Sequence, residues 1–126
     1  MNKCIGVVGA GVMGRGVAQR FAEFDYRVIL VDISREILDS AANEIKRNLK
    51  FANMFKKKVN VDDVMKNIIT SLSYDDLKEV DYIVENVPED EKIKQNVYKQ
   101  LEKICKEECI YMVNTSCIPI TLIGSF

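Results

Sequence analysis

The chain has 126 residues, 48% of them hydrophobic and 29% charged, with 18 basic and 19 acidic side chains. A chain of this length reads as one domain, residues 1–126, which buries roughly two-thirds of its unfolded surface and needs no disulfide or metal to fold. A formal net charge of −1 excludes binding to nucleic acid or an anionic membrane surface through bulk charge, and no apolar run reaches the ~20 residues of a membrane span.

The first strand-like run begins at Lys3, and no secretory leader is expected ahead of it. Ile5, Val7 and Val8 end in Gly9-Ala10-Gly11, the pattern of a buried strand followed by a tight turn. Met13, Val17 and Phe21 then recur every four residues, with Ala18 and Ala22 beside them, and predict one face of a helix. Tyr26 to Val31, rich in β-branched residues, predicts a second strand closed by Asp32. Ser34 is placed as the N-cap of a long amphipathic helix marked by Ile37, Leu38, Ala41, Ala42, Ile45, Leu49 and Ala52 and ended by Lys56-Lys57-Lys58. Asn60 followed by Asp63 predicts a cap and a short helix through Met65. A third strand is expected over 68–71, a single helical turn from Ser73 to Leu77, and a fourth strand from Tyr82 to Val84. Pro88 then opens a helix reaching about Lys106, and Ile110 to Val113 is a fifth strand. Strands alternating with helices predict an α/β fold, a parallel sheet with helices on both faces.

Gly9-Ala10-Gly11-Val12-Met13-Gly14 fits G-x-G-x-x-G, directly after a predicted strand and opening a predicted helix. Gly9 allows the tight turn, Gly11 removes a side chain that would block a pyrophosphate, and Gly14 lets helix and strand pack closely. The helix N-terminus offers free N–H groups and its positive dipole end to phosphates. The bland alternative is a glycine-rich turn with no ligand, which the strand and helix on either side disfavour. Asp32 follows Gly14 by 18 residues, at the end of the second strand, where a carboxylate would accept hydrogen bonds from the adenosine ribose. A 2′-phosphate would meet like charge there, so NAD is expected over NADP. Arg35 lies near enough to hold a phosphate, but Asp32 argues the other way. The alternative for Asp32 is a cap of the turn that follows it. The fold expected is Rossmann-type.

Gly9 to Gln19 resembles the opening of the 3-hydroxyacyl-CoA dehydrogenase family, which includes the bacterial 3-hydroxybutyryl-CoA dehydrogenases. Two further stretches carry the resemblance: Val84-Glu85-Asn86-Val87-Pro88-Glu89-Asp90 with Lys94, and Asn114-Thr115-Ser116-Cys117-Ile118-Pro119-Ile120. The resemblance covers essentially the whole chain in order, and these two later motifs separate the family from other Rossmann dehydrogenases better than the glycines do. It implies that Glu89, Lys94 and Asn114 lie by the cofactor, the first two near its nicotinamide half, and that Ser116 hydrogen-bonds the substrate oxygen. Read as residues alone, Glu89 is a first-turn acid at a helix N-terminus, Lys94 an exposed helical lysine, and Ser116 a loop cap. Asn86 stands where the family commonly has alanine, and Cys117 where it has a second serine; neither removes a group the chemistry needs.

Cys105 and Cys109 straddle a helix-to-strand junction with no further ligand nearby, so no metal site is expected. Four cysteines without paired spacing suit a reducing compartment, and a cytoplasmic location is expected. Lys46, Arg47, Lys50 and Lys56 to Lys58 read as a solvated helix face. The resemblance implies that the long helix after the second strand and its turn project from the domain and help hold a coenzyme A nucleotide, with Asn48 and Lys56 as candidates. The sequence contains no histidine, so the catalytic imidazole of the family is missing, as are the glutamate that orients it and the helical domain that makes a homodimer. The chain ends at Phe126, within an expected helix, and reads as a fragment of a longer enzyme. The expected function is the NAD-binding part of an oxidoreductase interconverting 3-hydroxyacyl-CoA and 3-oxoacyl-CoA, with a substrate on acyl carrier protein as a variant. The alternatives are a 3-hydroxyisobutyrate-type dehydrogenase and a non-catalytic NAD-sensing module.

Overall fold

The computed structural model describes residues 3–55, 60–86, 91–105 and 109–113. The elements run β1 (Cys4–Val8), α1 (Val12–Glu23), β2 (Arg27–Val31), α2 (Arg35–Asn53), α3 (Val61–Lys66) and β3 (Ile68–Ser71). A 3-10 turn (Tyr74–Leu77), β4 (Tyr82–Glu85), α4 (Glu91–Ile104) and β5 (Ile110–Val113) follow. All strand pairs are parallel, in the order β3-β2-β1-β4-β5. Val8 pairs with Val31 on one side and Glu85 on the other, so three strands end level. The chain moves outward from β1 to β3, then crosses back to β4. The order therefore reverses between β1 and β4, where open α/β sheets form a ligand crevice.

Side chains cap the starts of α2, α3 and the 3-10 turn. Ser34 Oγ accepts from the Ile37 N–H at 3.3 Å, and Asn60 Oδ1 accepts from the Asp63 N–H at 3.1 Å. Ser73 Oγ does the same for Asp75 at 3.1 Å in the 3-10 turn. α1 differs: Gly11 caps it with no side-chain hydrogen bond.

Parallel strands bury both faces. On one side Ile5, Val7, Val28, Leu30 and Val84 pack with Ala18 and Ala22 of α1, Leu38, Ile45 and Leu49 of α2, and Val64 of α3. On the other, Val8, Val31 and Ile83 pack with Leu77, Val80, and Val97 and Leu101 of α4. Each fully buried Leu or Ile stabilises the fold by about 1.5–3 kcal/mol. No helix among the described residues is long and apolar enough to cross a membrane.

Two expectations about helix faces need correction. The inward face of α1 is Gly14, Ala18 and Ala22, not Met13-Val17-Phe21. Close approach is the reason: a Cβ on Gly14 would lie 1.7 Å from the Gly9 carbonyl oxygen, so only small residues fit beneath this helix. Met13 is 61% exposed, and Val17 and Phe21 flank the core, lining an open apolar groove with Phe24 and Tyr26. Ile37, expected in the core face of α2, is exposed and turned to a cleft at the strand ends. The end of α2 is uncovered: Phe51, Met54 and Phe55 are all exposed, with Phe51 and Phe55 in ring contact at 5.1 Å. Pro88 and Lys106, the expected ends of the fourth helix, lie outside the described residues.

Candidate functional site

The turn after β1 is built by its glycines in different ways. Gly9 has φ of 99°, a left-handed conformation that side chains rarely adopt, and its N–H donates to the Val31 carbonyl at 2.8 Å. Gly11 needs no such freedom, with φ of −72°. A Cβ there would meet nothing within 4 Å, so the glycine leaves open space above the turn. No side chain caps α1 and its first turn holds no acidic residue, so its first N–H groups are left for an outside acceptor at the positive end of the helix dipole. This is a cradle for a phosphate oxygen, and the residues fit a pyrophosphate.

Asp32 ties this turn to the end of β2. Its Oδ2 accepts from the Ala10 N–H at 2.8 Å, and its Oδ1 accepts from Ile33 at 2.7 Å and Ser34 at 3.3 Å. A carboxylate has about four acceptor sites, so one remains at Oδ2 for a ligand. Asp32 is therefore the cap that the sequence offered as one alternative, and its free acceptor site leaves room for the other, a ribose hydroxyl. Arg35 is engaged elsewhere: its guanidinium donates to Thr70 Oγ1 at 3.2 Å and stands 3.9 Å from Asp39.

A cleft of about 1120 Å³ opens over these groups. Gly9, Gly11 and Asp32 line it together, as does Asn86, which is fixed at the end of β4 by an N–H bond to the Val8 carbonyl at 2.8 Å. Ala10 and Gly14 are buried behind the turn, while Val12 and Met13 are exposed on the adjoining groove. Asn48 is exposed on α2 and is not among the lining residues. Lys94 falls in the first turn of α4, its side chain outside what is described, and Lys56, Glu89, Asn114, Ser116 and Cys117 lie outside the described residues. Among the described residues no group of three or more His, Cys, Asp or Glu could hold a metal ion.

Sequence reasoning missed the far wall. Ile33, Tyr74 and Asp75 line the same cleft as Ile93, Asn96 and Val97 of α4. Burial, and then the negative charge of Asp32, push the Tyr74 phenol above its ordinary value. Apart from Ile33, which follows Asp32 in the chain, these residues are far from it in sequence, and only the path of the chain from β3 through β4 to α4 brings them to the same cleft.

Comparison with known proteins agrees with this geometry. The family model described as 3-hydroxyacyl-CoA dehydrogenase, NAD binding domain, matches residues 4–125. A 3-hydroxybutyryl-CoA dehydrogenase of Clostridioides difficile is 34% identical over 123 residues, which are 96% of this chain and 44% of the relative. The crystal structure of (S)-3-hydroxybutyryl-CoA dehydrogenase from Ralstonia eutropha superposes with a TM-score of 0.92 at 33% identity, covering 99% of this chain and 45% of that one. The corresponding Escherichia coli enzyme gives 0.94 at 28% identity, covering 99% and 27%. The chain thus spans less than half the length of these relatives. It belongs to the family of 3-hydroxyacyl-CoA dehydrogenase NAD-binding domains, and NAD is the cofactor of that domain.

Proposed function

We propose that this chain is the cofactor-holding part of a dehydrogenase that interconverts 3-hydroxyacyl and 3-oxoacyl thioesters carried on coenzyme A or on an acyl carrier protein. The observation that carries the reading is the turn Gly9–Gly14, open above Gly11 and joined to the Asp32 carboxylate by the Ala10 N–H. NAD supplies the hydride acceptor at C4 of its nicotinamide. The chain's own residues bind and orient. The first N–H groups of α1 hold the pyrophosphate, and the remaining site on Asp32 accepts from a ribose hydroxyl and repels a 2′-phosphate. By family resemblance, Glu89 and Lys94 belong beside the nicotinamide half, Asn114 by the cofactor, Ser116 hydrogen-bonds the substrate oxygen, and Asn48 and Lys56 meet the coenzyme A nucleotide. The sequence holds no histidine, so an imidazole base for the hydroxyl proton comes from protein beyond these 126 residues. That additional protein also makes the homodimer, and the setting is cytoplasmic.

Calorimetry with NAD and NADP tests the cofactor reading: binding of NAD in preference to NADP is expected, and equal affinity overturns it. A chimera of this chain with the remainder of the Clostridioides difficile relative tests the reaction. It should form NADH from 3-hydroxybutyryl-CoA, and a folded, NAD-binding chimera without turnover refutes the dehydrogenase reading.

A further inference from the structure

Tyr74 stands opposite Asp32 on a turn that is held unusually firmly for a surface element. Ser71, which is buried, is its hub. The Ser71 hydroxyl donates to the Ser73 carbonyl at 3.1 Å and bonds Asp76, and its oxygen accepts from the Ser73 N–H at 3.0 Å. The Ser71 carbonyl in turn accepts from the Asp32 N–H at 3.3 Å, so the turn and the ribose acceptor share one backbone anchor. The Tyr74 ring is half-buried, resting on the Leu77 side of the core, and its remaining surface lines the cleft. Ile33 and Ile93, both exposed apolar side chains, line the same cleft. An aromatic ring and two aliphatic side chains beside a ribose acceptor suit a flat, apolar heterocycle with polar edges, which is the chemistry of a purine.

Resting on the cofactor reading above, we propose that Tyr74 recognises the adenosine half of the dinucleotide: its ring packs against the base and its hydroxyl donates beside Asp32. The phenol remains protonated at neutral pH, raised by burial and by the Asp32 charge, and so stays a donor. Its selectivity falls on the adenosine end, since the turn that carries Tyr74 follows β3 and packs against β2, whose end carries Asp32.

The test compares NAD with 5′-AMP by calorimetry, using Tyr74→Phe and Tyr74→Leu in the full chain. Leucine retains apolar bulk against the core but no aromatic face, and thermal unfolding checks that each variant folds. Tyr74→Leu should weaken AMP and NAD by the same factor, at least about fivefold, the scale of losing base stacking. Tyr74→Phe should lose roughly two- to tenfold on both ligands, the scale of one hydrogen bond. Unchanged affinity for both ligands in Tyr74→Leu overturns the inference. So does a loss on NAD with AMP unaffected, which would show that Tyr74 acts through the fold. A wild-type chain that binds neither ligand refutes the cofactor reading itself and takes this inference with it.

Discussion

Asp32 serves the fold before it meets any ligand, because three backbone N–H groups already converge on its carboxylate. Asp32→Ala should therefore do two things. NAD binding should weaken by about 1–3 kcal/mol, the scale of charge-assisted hydrogen bonds, and stability in urea should fall by a similar amount as the glycine turn is untied. Weaker binding with unchanged stability would show that the turn closes without it. The glycines divide in the same physical way. Gly11→Val adds atoms to open space, so the variant should unfold at the wild-type temperature yet show no NAD binding by calorimetry. Gly14→Ala puts a methyl group into the Gly9 carbonyl and should cost about 3 kcal/mol or more, read as a lowered unfolding midpoint. For Tyr74 the sign with pH is fixed by direction. Its folded value lies above the ordinary 10.0, so its contribution to stability is complete below about pH 10 and is lost as pH rises through the raised value. Denaturation of Tyr74→Phe should show a shallower alkaline decline than wild type.

At the scale of elements, short-range chemistry was legible and long-range packing was not. Ser34 and Asn60 cap their helices as expected because a capping side chain acts within three residues of itself, and β3 and β5 match their expected limits. The inward face of α1 was misread because four-residue periodicity picks out the larger apolar side chains. The sheet's approach at Gly14 instead selects the smallest ones. Gly9, Gly11 and Asp32 were legible because one turn and one strand end determine their meeting. Tyr74 and Ile93 were not, since they meet only after the chain has crossed from β3 to β4. The 3-10 turn offers a direct probe of this tertiary contribution. Ser71→Ala removes the bonds to Ser73 and Asp76, and should lower stability by about 1–3 kcal/mol on denaturant titration. No change would mean that packing of Leu77 alone holds the turn.

At the scale of the whole molecule, two apolar layers fix a rigid sheet whose order reverses between β1 and β4, and that reversal places Gly9 and Asp32 on one side of the crevice and Asn86 on the other. Such an architecture binds and orients, but proton removal needs a base. Without histidine, the purified chain should produce no NADH from 3-hydroxybutyryl-CoA even at saturating NAD. A general base typically contributes ~10²–10⁴-fold, and a site that is not closed over the substrate also loses the exclusion of water. The carboxylate at the crevice cannot substitute, since Asp32 has three of its acceptor sites committed to backbone N–H groups. The measurement follows NADH absorbance with chain, NAD and substrate, against a Ser116→Ala control that keeps the cofactor site. Turnover above that control would place the base within these 126 residues, and the division of labour between cofactor holding and proton transfer would have to be redrawn.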